Sequence, residues 1–322
     1  MAIIISGGAG FIGTNLSKEL LKKNSKIFIL DNFSNGKKIF INNLQKNHLL
    51  KVIECDLSIE REIDNAIKTA LTESESIEEI WHLAANSDIP SGIINPNIDL
   101  RDTFMTTFNL LEMARKYKIK SFYFASSSAV YGDHGIKNIE ENTGPLMPIS
   151  NYGAMKLASE AQCFAAYESF LKRLRIFRFP NVVGTPATHG VIFDFINKLK
   201  KNNKSLEVLG DGSQQKSYLH VDDLISGMIF LSEIDLDKNE TPIFNLGPED
   251  DSVKVKWIAE QVVLKVSPNA KIIYGNKNKG WLGDIPKFSY RTKKAKKLGW
   301  QPKMNSKESV LKAIDEIIKE NF

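Results

Sequence analysis

The sequence opens with an apolar run that leads into closely spaced glycines, AIIISGGAGFIG, residues 2 to 13. Residues 2 to 6 predict a β-strand, and the glycines predict a tight turn into a helix. In such a turn one glycine lets the chain reverse and another lets the backbone approach a pyrophosphate. A third lets helix pack on strand, and the first N–H groups of the helix face the phosphates. The pattern favours a dinucleotide site at Gly7, Gly10, Phe11, Ile12 and Gly13; the alternative is a turn whose glycines serve packing alone.

A carboxylate ends the next predicted strand. The apolar run KIFIL, residues 26 to 30, precedes Asp31, which lies 18 positions beyond Gly13. A carboxylate there accepts hydrogen bonds from the adenosine ribose and repels a 2′-phosphate, so the sequence favours NAD over NADP. A third predicted strand, residues 51 to 54, leads to Asp56, which either meets the adenine or caps a turn.

The composition is that of a globular protein. Of the 322 residues 42% are hydrophobic, enough for a normal core, and the formal charge of +5 falls short of a nucleic-acid-binding signature. No signal peptide or membrane span is expected, because the apolar stretches are short. The two cysteines show no disulfide pattern, which favours the cytoplasm, and the five histidines lack metal-ligand spacing, so we expect no metal.

Predicted strands and helices alternate along the first half of the chain. Strand-like runs at 80–83, 121–125 and 174–179 are interleaved with helical stretches within 97–117 and from 152 onward. Alternation of this kind predicts a doubly wound parallel sheet with helices on both faces and ligands at the carboxyl ends of the strands.

The domain organisation follows from a change in pattern after about residue 180. We expect a dinucleotide-binding domain at 1–180 and a smaller region at 181–322, where turns are more frequent. A segment near 220–247 is expected to return to the first domain, because the run 242–246 is apolar enough to join the main sheet.

Two residues with catalytic potential lie one helical turn apart. Tyr152 and Lys156 share a face at the start of a predicted helix. A nearby ammonium group lowers the pKa of a tyrosine, which suits a general base near neutral pH. The spacing alone is common in a lysine-rich chain, but here the pair follows the fifth predicted strand and the serine run 126–128. That order makes the pair a candidate catalytic site.

The chain resembles the extended short-chain dehydrogenase/reductase family, in its NAD-dependent nucleotide-sugar epimerase and dehydratase branch. The resemblance extends over nearly the whole length and implies a Rossmann-type sheet followed by a smaller C-terminal substrate-binding α/β region. Its motifs are SGGAGFIG (6–13), DNFSNG (31–36), HLAA (82–85), SSSAVYG (126–132), YGAMK (152–156), RFPNVVG (178–184) and GDGSQQKSYLHVDD (210–223).

The resemblance also implies roles for individual residues. Ser127 would hydrogen-bond the reacting sugar oxygen, Tyr152 would be the acid/base, and Lys156 would support the tyrosine and bind the nicotinamide ribose. The NAD contacts implied are Gly7, Gly10, Phe11, Ile12, Gly13, Asp31, Asn32, Asp56, Leu57, Leu83, Ala84, Ala85, Tyr152 and Lys156. The contacts implied for a nucleotide-diphosphate sugar are Ser87, Ser128, Asn181, Val191, Lys216 and Tyr218.

The reaction implied begins when Tyr152 removes a proton from a sugar hydroxyl, usually at C4, while hydride passes to NAD. Relatives that then eliminate water or decarboxylate carry an acidic base two places after the catalytic hydroxyl. Here that place is Ala129, so we predict a 4-epimerase that acts through a transient 4-keto intermediate. The alternatives are a 4,6-dehydratase, a 4-dehydrogenase or ketoreductase, and a non-catalytic dinucleotide-binding regulator.

Three positions depart from the family pattern. Lys216 stands where relatives often have arginine, and Thr103 stands where they often have asparagine. The arginine common before Gly283-Asp284 is missing, so we expect either weaker phosphate contacts or a contact supplied by Lys279. Trp281 is expected to pack or to stack on the base.

A homodimer is a further expectation from the resemblance. Relatives commonly pair the helix after the fourth strand with the helix of the catalytic tyrosine in a four-helix bundle. In this chain those helices are the stretches 97–117 and 152–170.

Overall fold

A computed structural model describes residues 2–135, 138–237, 240–250, 252–278, 285, 287 and 289–321. The strands are β1 (Ala2–Ser6), β2 (Lys26–Asp31), β3 (Leu50–Glu54), β4 (Ile77–His82), β5 (Ser121–Ala125), β6 (Asn138–Ile139), β7 (Arg173–Arg178), β8 (Asn181–Val183), β9 (Ser205–Val208), β10 (Gln215–Lys216), β11 (Tyr218–His220), β12 (Ile243–Asn245), β13 (Val253–Lys254), β14 (Lys271–Tyr274) and β15 (Ser289–Tyr290). The helices are α1 (Phe11–Lys22), α2 (Lys38–Ile41), α3 (Glu60–Thr72), α4 (Ile89–Ile94), α5 (Pro96–Asp99), α6 (Thr106–Lys116), α7 (Asn151–Ser169), α8 (Val191–Lys201), α9 (Val221–Glu233), α10 (Val255–Val266), α11 (Lys293–Lys297) and α12 (Ser306–Asn321).

A seven-stranded sheet has the order β12-β7-β5-β4-β1-β2-β3. Strands β1 to β5 and β7 pair in parallel, and Ser6 stands opposite Leu30 on one side and His82 on the other. The carboxyl ends of the strands therefore meet at one edge. The strand order reverses between β1 and β4, which is where ligands bind in such sheets. The predicted doubly wound, Rossmann-type fold is confirmed.

The sheet forms because its strands are apolar on both faces. Ile4, Phe28, Ile80, Phe122 and Ile176 are fully buried. Helices α3, α6 and α7 pack beside one another and share an apolar core with these strands. Burial of this kind stabilises by about 25 cal/mol per Å² of apolar surface, which favours β-branched and aromatic residues in the strands.

The chain divides into two compact units. The first comprises residues 1–130, 148–178 and 231–244, and the second comprises 131–147, 179–230 and 245–322. In the second unit β8 pairs with β11 and β9 pairs with β14, both in parallel. Its apolar core is formed with α8, α10 and α12. The assignment of 1–180 to the dinucleotide and of 181–322 to the sugar nucleotide stays a prediction.

The helical stretch expected within 97–117 is interrupted. A π-helical segment, Leu100–Met105, separates α5 from α6. The Thr103 hydroxyl accepts the Asn86 N–H at 3.2 Å, and the Thr107 hydroxyl donates to the Thr103 carbonyl at 2.9 Å. These side-chain bonds compete with regular helical pairing, and π segments of this kind are frequent at functional sites.

Among the residues that the structure describes, no helix combines the length and the apolar character needed to cross a bilayer.

Candidate active site

Gly7 and Gly10 in the turn between β1 and α1, and Gly13 in the first turn of α1, differ in their surroundings. Gly7 has a φ of +68°, and a Cβ there would lie 2.7 Å from the Ala84 nitrogen. A Cβ on Gly13 would lie 2.3 Å from the Gly7 carbonyl oxygen, so α1 packs directly on the turn. At Gly10 the nearest described atom would be that same oxygen at 3.3 Å. Gly7 and Gly13 are thus required by the chain, whereas the space beside Gly10 suits a closely approaching pyrophosphate.

The start of α1 also suits a phosphate group. Gly10 provides no side-chain cap, and the first helical turn holds no acidic residue. The first N–H groups of a helix carry its positive dipole end, and neither the cap nor the first turn of α1 supplies a side chain that neutralises it. The donors expected to hold NAD, those of Phe11, Ile12 and Gly13, therefore match the chemistry of the cofactor.

Asp31 lies at the end of β2 and is buried. Its Oδ2 accepts the Ala9 N–H at 2.9 Å, and its Oδ1 accepts the Phe33 N–H at 2.8 Å. Burial raises the pKa of Asp31, and these two N–H groups oppose that rise. The carboxylate braces the glycine turn, and its remaining acceptor capacity suits ribose hydroxyls.

The ends of β1 and β4 are held together by a buried histidine. His82 Nδ1 lies 2.6 Å from the Ser6 hydroxyl, and its Nε2 lies 2.9 Å from the Thr107 hydroxyl. Burial lowers the pKa of His82 well below its ordinary value, so the ring is neutral. The Leu83 N–H donates to the Ser6 carbonyl at 3.1 Å. The predicted cofactor residues Leu83, Ala84 and Ala85 follow from this anchored point, each of them half-buried.

The predicted adenine-side residues have structural partners. The Asp56 carboxylate accepts the N–H and the hydroxyl of Ser58 at 2.9 and 2.7 Å, as a turn-capping residue does. Leu57 lies in the apolar core, and Asn32 is exposed and accepts the Ser34 N–H at 3.0 Å. Contact of these three residues with NAD stays a prediction.

The predicted catalytic residues meet where β5 faces the first turns of α7. The Ser150 hydroxyl caps α7 by accepting the Gly153 N–H at 3.1 Å, and Tyr152 follows in the first turn. The Ser127 side chain lies close enough to the Tyr152 phenol to lower its pKa. The Lys156 ammonium donates to the Ala125 carbonyl at 2.6 Å and lies 5.8 Å from the centre of the Tyr152 ring. The structure therefore brings Ser127, Tyr152 and Lys156 together.

Burial is the largest cause of the pKa shifts of Tyr152 and Lys156. It raises the pKa of Tyr152 to about 12, although the Ser127 side chain lowers it. Burial also lowers the pKa of Lys156 to about 7. The pKa of Tyr152 thus moves in the opposite direction from the effect that an ammonium group alone would have.

The residues after Ser127 form a short turn that packs on α7. Ser128–Val130 is a 3₁₀ turn, and the Ser127 hydroxyl oxygen accepts the Ala129 N–H at 3.1 Å. A Cβ on Gly153 would lie 2.6 Å from the Ala129 carbonyl oxygen. Residue 129, where the sequence analysis expects an acid in a dehydratase, is alanine, so a methyl group stands beside Ser127.

A buried network next to this site was not predicted from the sequence. The Ser126 hydroxyl donates to Glu160 Oε1 at 2.5 Å, and Arg178 Nε donates to the same oxygen at 2.9 Å. All three residues are at most 2% exposed. Glu160 stands eight positions after Tyr152, and that spacing on one helix face is the signal that could have indicated it.

The residues after HLAA divide between the core and the surface. Asn86 is buried and donates to Asp99 Oδ1 at 2.9 Å, while Ser87 and Asp88 are exposed. Asn86 therefore belongs to the interior, and the sugar contact of Ser87 stays a prediction.

The substrate residues expected from the later part of the chain lie in the second unit. Asn181 in β8 stands opposite Tyr218 in the parallel pair β8–β11, and Lys216 lies in β10. Val191 begins α8. Tyr218 is 3% exposed and belongs to the apolar core, so its side chain supports the strand. Lys279, Trp281 and the pair 283–284 lie outside the described residues.

One cluster of potential metal ligands occurs in the described part of the chain. It consists of His220, Asp222 and Glu316, and the spacing of the histidines in the sequence did not indicate it. Lys312 Nζ donates to Asp222 Oδ2 at 2.6 Å, so a side-chain ammonium already neutralises one of the carboxylates.

The family assignment rests on a match over most of the chain. Residues 3–247 match the model of the NAD-dependent epimerase/dehydratase family. The chain belongs to this family. Its members depend on NAD, which agrees with the glycine turn and with Asp31, and NAD is the cofactor.

Relatives in the family have more than one activity. The chain is 29% identical over 97% of both lengths to the putative UDP-glucose 4-epimerase of Methanocaldococcus jannaschii. It is 31% identical to the dTDP-D-glucose 4,6-dehydratase of Dictyostelium discoideum, over 77% of this chain and 58% of that protein. A crystal structure of a UDP-galactose 4-epimerase is 33% identical, with a TM-score of 0.82 and full coverage of both chains.

Proposed function

We propose that the protein is an NAD-dependent nucleotide-sugar 4-epimerase. The observation that carries the proposal is an assembled Ser127, Tyr152 and Lys156 next to Ala129, which has no ionisable group. Elimination of water needs a positioned base to remove a second proton, and this turn supplies none. The similarity to epimerases over the whole length supports the same conclusion.

The proposed roles concern proton transfer at the sugar C4 hydroxyl. Tyr152 takes the hydroxyl proton and later returns it, and Ser127 holds the same oxygen through its hydroxyl. Lys156 stabilises the tyrosinate electrostatically and contacts the ribose. NAD, when bound, supplies the nicotinamide carbon that accepts the C4 hydride. Return of the hydride would regenerate NAD, and its delivery to the opposite face of the sugar would invert C4.

The proposed substrate is a UDP- or dTDP-hexose, because the relatives carry those names. We propose that Lys216 and Asn181 hold the diphosphate and the uridine side of the nucleotide, with Val191 and Tyr218 supporting them. Lysine offers a point charge to phosphate, whereas the arginine common in relatives offers a planar fork.

Product analysis by NMR tests the function. UDP-, dTDP- and GDP-hexoses incubated with the protein should yield a C4 epimer with no net NADH absorbance. Tyr152→Phe should lower kcat by about 10²- to 10⁴-fold, the usual contribution of a general acid/base, with an unchanged Tm. A 6-deoxy-4-keto sugar would establish a dehydratase instead, and stoichiometric NADH would establish a 4-dehydrogenase.

We also propose a homodimer that uses the exposed side of α7. Between residues 151 and 167 the charged side chains are Lys156 and Glu160, and both are buried. Leu100 and Phe108, on the neighbouring helical segments, are 45% and 38% exposed. An exposed, uncharged face of this kind suits a second copy of the chain.

The location is proposed from the cysteines. Cys55 and Cys163 are buried free thiols, which supports the cytoplasm predicted from the sequence.

A further inference from the structure

Three consecutive residues at the end of β5 contact α7 at intervals of one helical turn. The Ser127 side chain lies beside the Tyr152 phenol, the Ala125 carbonyl accepts from Lys156, and the Ser126 hydroxyl donates to Glu160. Tyr152, Lys156 and Glu160 lie at positions i, i+4 and i+8 of the helix, on one face. The proposed mechanism uses the first two contacts and leaves the third without a role.

The contact between Ser126 and Glu160 is held by further hydrogen bonds on both sides. Arg178 donates to both carboxylate oxygens of Glu160, Nε to Oε1 at 2.9 Å and Nη2 to Oε2 at 2.5 Å. The Ser126 N–H donates to the carbonyl of Phe177, the residue before Arg178, at 2.8 Å. Ser126 is therefore fixed by its backbone to β7 and by its side chain to α7.

The buried ion pair between Glu160 and Arg178 is suited to fixing the position of α7. Burying a carboxylate and a guanidinium costs solvation, and apolar residues of similar size hold helices in place equally well. A bidentate, charge-assisted pair differs because its bonds are directional and permit one helix register.

We propose that Glu160 and Arg178 are positioning residues that act through Ser126 to set the separation of Ser127 from Tyr152. This inference rests on the proposed epimerase function. A displacement of about 1 Å at a reacting group can cost on the order of 100-fold in rate, so the register of α7 on β5 matters for turnover.

Serine substitutions with a matched control test the inference. Ser126→Ala removes one hydroxyl from the network, and Ser159→Ala removes a buried hydroxyl of α7 that has no partner among the described residues. Ser126→Ala should lower kcat about tenfold or more and change KM less than about twofold. Ser159→Ala should leave both constants unchanged, and Ser126→Thr, which keeps a hydroxyl, should restore most of kcat. Glu160→Gln should lower kcat further than Ser126→Ala.

Hydrogen exchange followed by mass spectrometry gives a second readout on the protein alone. Peptides that cover residues 125–130 should exchange faster in Ser126→Ala than in Ser159→Ala. Wild-type kcat in Ser126→Ala, equal losses in the two alanine variants, or unchanged exchange at 125–130 would each overturn the inference. Failure of the proposed function would look different: the wild-type protein would form no epimer, while the exchange measurement would still report on the network.

Discussion

At the residue scale, Gly10 and Gly13 stand three positions apart at the start of α1, and they are needed for different reasons. A methyl group on Gly13 would lie 2.3 Å from the Gly7 carbonyl oxygen, whereas one on Gly10 would lie 3.3 Å from it. Gly13→Ala should therefore destabilise the protein without NAD by about 1–3 kcal/mol, as overpacking does. Gly10→Ala should destabilise the protein less than Gly13→Ala, because its methyl group would meet one atom at 3.3 Å, and should weaken NAD binding about tenfold or more, because the methyl group occupies the space for the pyrophosphate.

Thermal unfolding without NAD and calorimetric titration with NAD separate the two effects. Equal losses of Tm in both variants would show that Gly10 serves packing alone. That was the alternative left open by the sequence.

The candidate site could be predicted from the sequence only where residues carry a motif. Ser127, Tyr152 and Lys156 were expected together because strand, serine run and helix follow in a fixed order, and the structure places them in contact. Glu160 and Arg178 were not expected to pair. They stand 18 positions apart on different elements, and although the helical spacing from Tyr152 places Glu160 on the face of the site, no sequence pattern pairs it with Arg178.

At the element scale, the C-terminal helix is linked to β11 by a histidine. His220 is 1% exposed, and its Nε2 lies 3.1 Å from Glu316 Oε2 on α12. Its Nδ1 lies 3.4 Å from Asp222 Oδ2. Burial lowers the pKa of His220, but the hydrogen bonds to Asp222 and Glu316 outweigh it, and the net pKa is raised. The two carboxylates therefore favour protonation of His220 in the folded protein, although in this geometry Nδ1 accepts the Asp222 N–H at 3.2 Å.

The raised pKa predicts a pH dependence with a definite sign. A raised folded-state pKa gives stability that is fully present below the unfolded value of about 6.5 and is lost as the pH rises through the folded value. The Tm of the wild type should exceed that of His220→Gln most below about pH 6.5, and the difference should shrink as the pH rises above that value. Scanning calorimetry of both chains below and above this pH tests it, and a constant difference would contradict it. Lys156 is present in the wild type and in His220→Gln, so its titration does not contribute to the difference in Tm.

The π-helical segment Leu100–Met105 shows why the bounds of helices are difficult to predict from the sequence. The stretch has helical periodicity on both sides of the break. The break coincides with the hydrogen bond from the Asn86 N–H to Thr103, which joins positions 17 apart. The helix propensities of residues 97–117 do not report a hydrogen bond to a residue outside the helix.

At the scale of the whole molecule, the proposed dimer predicts a response to charge. Leu100→Arg places a cation on the exposed face beside α7 and should convert a dimer to a monomer at micromolar concentration. Leu264→Arg, at a residue of the second unit that is 63% exposed, is the matched control and should leave the mass unchanged. Light scattering measures both. A monomeric wild type would contradict the dimer directly.

The returning strand could be predicted because its signal is local. Residues 242–246 are apolar except for Asn245, and β12 lies beside β7 in the seven-stranded sheet. The segments of the first unit could not be delimited in the same way. They depend on contacts between residues 1–130, 148–178 and 231–244, which no periodicity in the sequence reports.

The position of β12 has a consequence for synthesis on the ribosome. β7 is complete at Arg178, but its outer neighbour in the sheet begins at Ile243. At about 5–20 residues per second, several seconds pass in which the growing chain presents β7 as an open edge with unpaired backbone groups. Nascent chains that stop before Ile243 should therefore be recognised by chaperones.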